Sequence, residues 1–238
     1  MIVHCLFEQS GTFRDEFRKL GYEAYDYDIE NQFGKTDYQI DLFKEIEKTL
    51  ENKSNIFDGF TKDDLIIAFF PCVRFTSSIY LELRADGGGG EVNWTPIKKL
   101  LHSKKLNKEQ PYFYSLFCQL FILAFDRGFK LIVENPYNRP NYLVDAFPIR
   151  PSIIDNDRTV FGDKFRKPTQ YWFINLKPLN NKLKANEFVF GKRKYIKDVR
   201  SVRNIERSLI SPKYAENFIR KYILESEVMP NDKKVTNS

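Results

Sequence analysis

Cysteine, histidine and long apolar runs are what this chain has little of. Its 238 residues hold three cysteines, Cys5, Cys72 and Cys118, and two histidines, His4 and His102. They are too few and too scattered for a disulfide framework or a zinc site, so no metal is expected and the compartment reads as reducing. No apolar run reaches the roughly 18 residues of a membrane span, and the first residues lack the basic, apolar and small-residue succession of a signal peptide. A cytoplasmic chain without a membrane segment is expected. Internal repeats are absent too.

Aromatic mass is plentiful, with 22 Phe and 13 Tyr, so a sizeable core is available and disorder is excluded as the dominant state. Charge is uneven: residues 1–60 carry 7 Lys/Arg against 13 Asp/Glu, whereas residues 177–222 carry 13 against 4. Either a polyanion meets the C-terminal part or this is an ordinary solvated basic face.

Along the chain, residues 2–7 read as a short buried strand. A polar turn then leads into a helix over 12–20, where Phe13, Phe17 and Leu20 recur at helical spacing with Thr12 or Ser10 as the cap and Gly21 as the stop. Residues 22–29 form a second strand ending in Asp26, Asp28 and Glu30, so the opening resembles half of a nucleotide-binding α/β unit. Residues 39–52 suit a helix, or a short strand giving way to one. The run Leu65-Ile66-Ile67-Ala68-Phe69-Phe70 is continuous rather than alternating, as in a central parallel strand covered on both faces, and it stops at Pro71. Cys72 therefore stands at a strand's carboxyl end, where ligands meet open parallel sheets.

Gly87, Gly88, Gly89 and Gly90 make a mobile loop near 84–94, read either as a lid over the crevice or as an inert excursion. A helix over 107–126 presents Phe113, Leu116, Phe117, Leu120, Phe121 and Ala124, with Cys118 as a core filler and Gly128 as its end. The strand over 129–133 runs directly into Glu134-Asn135-Pro136, residues 137–172 are turn-rich and aromatic, and residues 211–224 suit a last helix. The expected architecture is α/β with a central, mostly parallel sheet: a domain over 1–176, a small basic extension over 177–230 packing on it, and a disordered tail over 231–238.

Two strand ends carry chemistry. Cys72 is a nucleophile if exposed near a cation such as Arg74, and a buried small residue otherwise. Glu134 follows four apolar strand residues and is costly to bury unpaired; it either caps a neighbouring helix or offers a carboxyl group to a heterocycle in a recessed pocket.

The succession Leu6-Phe7-x-x-x-Gly11-Thr12, Leu20-Gly21-Tyr22-Glu23, Asp28-Ile29, Pro71-Cys72-x-x-Phe75-Thr76, Glu134-Asn135-Pro136, Phe161-Gly162 and Lys167-Pro168-Thr169-x-x-Trp172 resembles the DNA cytosine (carbon-5) methyltransferase family, above all its short, phage-type members. The resemblance implies a Rossmann-like methyltransferase fold and S-adenosylmethionine as cofactor, bound near Phe7, Gly11, Thr12 and Pro71. Asp28 would receive the ribose hydroxyls, Asp41 the adenine, and Asp64 would border the same cleft. It implies that Cys72 attacks carbon 6 of a cytosine flipped out of double-stranded DNA while Glu134 holds nitrogen 3, with Arg166 standing in for the family's arginine pair. Arg74, Lys192, Arg193, Lys194, Arg200, Arg203 and Arg207 would meet the DNA, the last three sharing one face if helical. The setting implied is DNA modification in a bacterial or phage-infected cell.

Two turn positions depart from the family pattern. Gln9 replaces a glycine and is expected to narrow the cofactor's approach, and Glu8 replaces a small residue and is expected to set a negative charge beside the ligand's carboxylate. A catalytically silent binding module and an enzyme using another one-carbon donor are the alternative readings.

Overall fold

In the computed structural model, residues 1–76, 94–180 and 209–224 are described. The glycine run, the basic cluster from Lys192 to Arg207 and the tail over 231–238 lie outside them. Seven strands form one sheet: β1 (Val3–Leu6), β2 (Ala24–Asp28), β3 (Tyr38–Gln39), β4 (Leu65–Ala68), β5 (Lys130–Pro136), β6 (Ile153–Asp155) and β7 (Thr169–Ile174). Their order is β3-β2-β1-β4-β5-β7-β6. β7 runs antiparallel to both neighbours, and the other adjacent pairs are parallel. This is an α/β, Rossmann-like methyltransferase architecture, in which the antiparallel β7 is inserted beside an otherwise doubly wound parallel sheet.

The continuous apolar runs follow from helices on both faces. Along β4, Ile66 and Ala68 join the cluster beneath α2 (Leu42–Leu50) and α3 (Pro96–Arg127), while Leu65 and Ile67 join the one beneath α1 (Thr12–Lys19). β5 alternates likewise, with Leu131 and Val133 on one side and Ile132 on the other. The short α4 (Tyr142–Ala146) follows β5, and α5 (Pro212–Tyr222) lies beside α1, with Tyr214, Ala215, Phe218 and Ile219 buried against Phe13, Tyr171 and Phe173. The helix within 177–230 thus completes a layer of the same core.

Several elements differ from the sequence reading. α1 is capped by neither Thr12 nor Ser10: Gly11 takes the N-cap in a left-handed conformation (φ 66°), where a Cβ would collide with the Arg14 guanidinium. α3 starts well before residue 107, because the Thr95 hydroxyl accepts the Lys98 N–H at 3.3 Å and Pro96 fits the first turn. The region over 137–172 yields β6, a 3-10 turn over Arg158–Phe161 and the start of β7. Among the described residues no helix is long and apolar enough to cross a membrane.

His4 makes β1 sensitive to pH. Its ring is stacked on Phe60 at 3.9 Å and its Nδ1 lies 3.0 Å from the Tyr27 hydroxyl. Burial lowers its pKa from 6.5 to about 4, against the opposing pull of Asp64. The unfolded chain takes up this proton below 6.5 and the folded chain only near 4, so the His4 contribution is full above 6.5 and lost as pH falls through that window, by up to about 3 kcal/mol. Buried carboxyls whose pKa is raised, such as Glu8 and Asp26, respond in the opposite sense, so the comparison is between wild type and His4→Phe. In urea denaturation the variant should gain stability relative to wild type from about pH 7.5 to about pH 4.5; a constant difference contradicts this placement of His4.

Candidate active site

The carboxyl ends of β2, β1, β4 and β5 lie side by side in the sheet. They open into one cleft of about 560 Å3, whose walls include Phe7 and Glu8 after β1, Asp28 ending β2, Pro71 and Cys72 after β4, and Glu134 in β5. Asp41, Lys167 and Ile210 complete it from three further segments. Phe7 turns the chain at φ 60°, which ends β1 and starts the polar turn over 8–11.

On the β4–β5 side the ladder ends at Ala68, and the Asn135 amide then ties the two strand ends together by donating to the Phe70 carbonyl at 3.0 Å, just before Pro71. The Cys72 carbonyl accepts from the N–H groups of Phe75 (2.9 Å) and Thr76 (3.2 Å), so the cysteine begins a tight turn. Burial raises the Cys72 pKa; the positive charge of Lys167 opposes this and Glu134 adds to it. Glu134 is 7 % exposed, and its Oε1 has no hydrogen-bond partner among the described residues. Arg158 approaches that oxygen to 3.9 Å, is itself fully buried, pairs with Asp163 and lies 4.6 Å from the centre of the Tyr214 ring. A thiol and a carboxyl group facing one cleft, with a cation beside each, can add a nucleophile to an electron-poor ring and handle its proton.

On the β1–β2 side, Asp28 accepts the Glu30 N–H at 2.8 Å, and burial raises its pKa. Asp41 caps α2 through the Lys44 N–H and pairs with that lysine at 3.4 Å. Gly11 and Thr12 shape the turn instead of lining the cleft: Thr12 lies 3.0 Å from the Ser10 hydroxyl and donates to the Ile210 carbonyl at 3.5 Å. Glu8 is turned inward. Its Oε1 accepts the Phe13 N–H at 2.8 Å, doing the capping that Gly11 has no side chain to do, and burial pushes its pKa up to about 7. Gln9 lines the cleft, and its side-chain oxygen accepts the Gln32 N–H at 3.3 Å.

Three residues of the expected site have other surroundings in the structure. Asp64 lies at the amino end of β4, opposite the cleft, where it accepts the Ile2 and Thr61 N–H groups at 2.9 Å and braces the chain start. Arg166 is 63 % exposed and lies 3.9 Å from Asp157, outside the cleft. Arg74, in place of a free cation, donates to Glu109 of α3 at 2.7 Å and fixes the Cys72 turn to that helix. Lys192, Arg193, Lys194, Arg200, Arg203 and Arg207 lie outside the described residues.

Sequence reasoning missed Lys167 and Arg158. The first stood in the quoted Lys167-Pro168-Thr169 motif and was passed over for its neighbour. The second carried little local signal, since Glu134 of β5, Tyr171 of β7 and Tyr214 of α5, all distant in sequence, make most of its surroundings.

Compared with known proteins, the chain matches no family model and no curated protein.

The charge of Lys167 should be legible in thiol reactivity. Lys167→Met is expected to slow iodoacetamide alkylation of Cys72 several-fold near pH 8, read by peptide mass, because losing the cation raises the thiol pKa further. Arg166→Met should leave the rate unchanged; equal effects of the two would contradict the assignment.

Proposed function

We propose that this chain transfers a methyl group from S-adenosylmethionine to carbon 5 of cytosine in DNA. The sheet order is that of S-adenosylmethionine-dependent methyltransferases. The observation that carries the finer reading is that Cys72 and Glu134, from two strand ends, line the same cleft as Asp28.

The cofactor fits the donor side of that cleft. Glu8, Asp28, Glu30 and Asp41 line it, while Lys167 is on the Cys72 side. Such a field favours a sulfonium cation and disfavours a phosphate-bearing cofactor. Phe7, Ile29 and Phe43 give apolar contacts suited to an adenine, and Asp28 ends β2 as an acceptor for ribose hydroxyls. Bound S-adenosylmethionine supplies an electrophilic methyl group.

The chain's own residues do the rest. Cys72 gives up its proton, and its thiolate bonds to carbon 6 of the cytosine. Glu134 holds nitrogen 3 and favours its protonation, so the ring electrons move to carbon 5, which takes the methyl group. Loss of the carbon 5 proton to water, departure of the Cys72 thiolate and release of the nitrogen 3 proton restore the aromatic base. Arg158, against Glu134, keeps that carboxyl in place. Burial keeps the Cys72 thiol protonated in the free protein, so thiolate formation is coupled to substrate entry beside Lys167. Carbon 6 is inaccessible within a stacked duplex, so the cytosine is flipped out. Lys192, Arg193, Lys194, Arg200, Arg203 and Arg207 supply phosphate contacts.

DNA carrying 5-fluorocytosine tests this. Fluorine cannot leave carbon 5 as the proton does, so a cofactor-dependent covalent complex through Cys72 should accumulate and vanish in Cys72→Ala. Glu134→Gln should retain DNA binding and slow transfer to normal DNA by about 10²–10⁴-fold. An adduct that survives in Cys72→Ala contradicts the nucleophile.

A further inference from the structure

Glu8 is the buried acid of the donor side: it is 6 % exposed, whereas Asp28 and Asp41 are half-buried and Glu30 is exposed. Its Oε1 accepts from the Phe13 N–H and faces the Ser10 hydroxyl at 3.5 Å. Oε2 is buried without a hydrogen-bond partner among the described residues, and the Cys5 thiol is a neighbour of the carboxyl group. The charged and titratable groups around it are Cys5 on β1, Asp26 on β2 and Arg14 on α1. The Arg14 guanidinium is committed to Asp15 and Asp26, at 2.8 and 2.9 Å. No charged partner therefore answers Glu8 among these neighbours.

The position matters because β1 lies between β2 and β4. A donor that spans from Asp28, at the end of β2, to Cys72, beyond β4, must pass the turn over 8–10, which faces the same cleft. An N–H at the head of α1 that would receive a ligand anion is already occupied by Glu8. A second anion brought beside a buried carboxylate is repelled in a medium of low polarisability until one of the two is protonated.

We propose that Glu8 sets the donor specificity of this cleft: it fills the anion seat at the head of α1, so the cleft favours an adenosyl sulfonium with a purely cationic tail, and a donor bearing an α-carboxylate binds with uptake of a proton at Glu8. This rests on the reading of the cleft as an S-adenosylmethionine site. Burial of the carboxyl, with its pKa pushed up to about 7, makes that proton available near neutrality.

Calorimetry with S-adenosylmethionine and its decarboxylated analogue, on wild type and Glu8→Gln, tests it without any methyl transfer. In wild type near pH 8 the decarboxylated donor should bind about tenfold tighter or more, and the margin should narrow severalfold near pH 6. Glu8→Gln keeps an oxygen acceptor for the Phe13 N–H; it should narrow the margin severalfold and make it independent of pH. Wild type alone, titrated with S-adenosylmethionine near pH 7.5 in buffers of different ionisation enthalpy, should take up a fraction of a proton. Equal affinity for both donors, an unchanged margin in Glu8→Gln, or no proton uptake overturns the role of Glu8 while leaving the donor reading intact. If neither donor binds, the donor reading itself fails and the proposal with it.

Discussion

The Asn135 amide reaches across from β5 to the Phe70 carbonyl at 3.0 Å, two residues beyond Ala68, where the backbone ladder of β4 ends. The residue is fully buried, so the bond is shielded from water and its loss would strand polar groups, at a cost of about 1–3 kcal/mol. Its consequence is geometric. Cys72 and Glu134 leave their strands in directions that this bridge holds together, and both reach one cleft. The same corner is tied from outside by the Asn141 and Gln170 amides, which both donate to the Pro136 carbonyl, and by the Tyr142 N–H, which donates to the Phe75 carbonyl. The Arg74–Glu109 pair then fastens the Cys72 turn to α3.

Charge is divided across that corner. Acids border the cleft toward β2, and Lys167 and Arg158 stand beside Cys72 and Glu134. A buried arginine is tolerated because Asp163, Glu134 and the faces of tyrosines surround it. Tyr214, which lies over Arg158, also bonds Tyr171 at 2.7 Å and Asp155 at 2.9 Å. Through this set, α5 and the antiparallel strand β7 support the Glu134 side of the cleft, although both are far from Glu134 in sequence.

The parts legible in the sequence are those whose cause is local. Runs such as Leu65–Ala68 announce a strand covered on both faces, and a proline or a polar residue after such a run announces its end, so β1, β4, β5, Cys72 and Glu134 could be read directly. β7 could not, because Thr-Gln-Tyr-Trp-Phe-Ile beside a proline-rich turn carries no alternation and its burial comes from α3 on one face and α5 on the other. The turn over 8–11 shows a different limit. Its residue types suggested an exposed charge at the cleft, yet the unfilled N–H at the head of α1 draws Glu8 into a buried position on the cleft wall. Arg74 and Asp64 were misplaced for the same reason: each satisfies a partner distant in sequence, Glu109 in one case and the Ile2 N–H in the other.

In the proposed reaction Cys72 at carbon 6 and Glu134 at nitrogen 3 together activate one atom, carbon 5 of a cytosine. Incubating unmodified DNA with the protein and S-adenosylmethionine, then digesting it to nucleosides for mass spectrometry, reads that atom directly. The expected product is 5-methyldeoxycytidine, absent with Cys72→Ala. Methyl groups on the exocyclic nitrogen of cytosine or adenine, or 5-methyldeoxycytidine formed equally by Cys72→Ala, would contradict it.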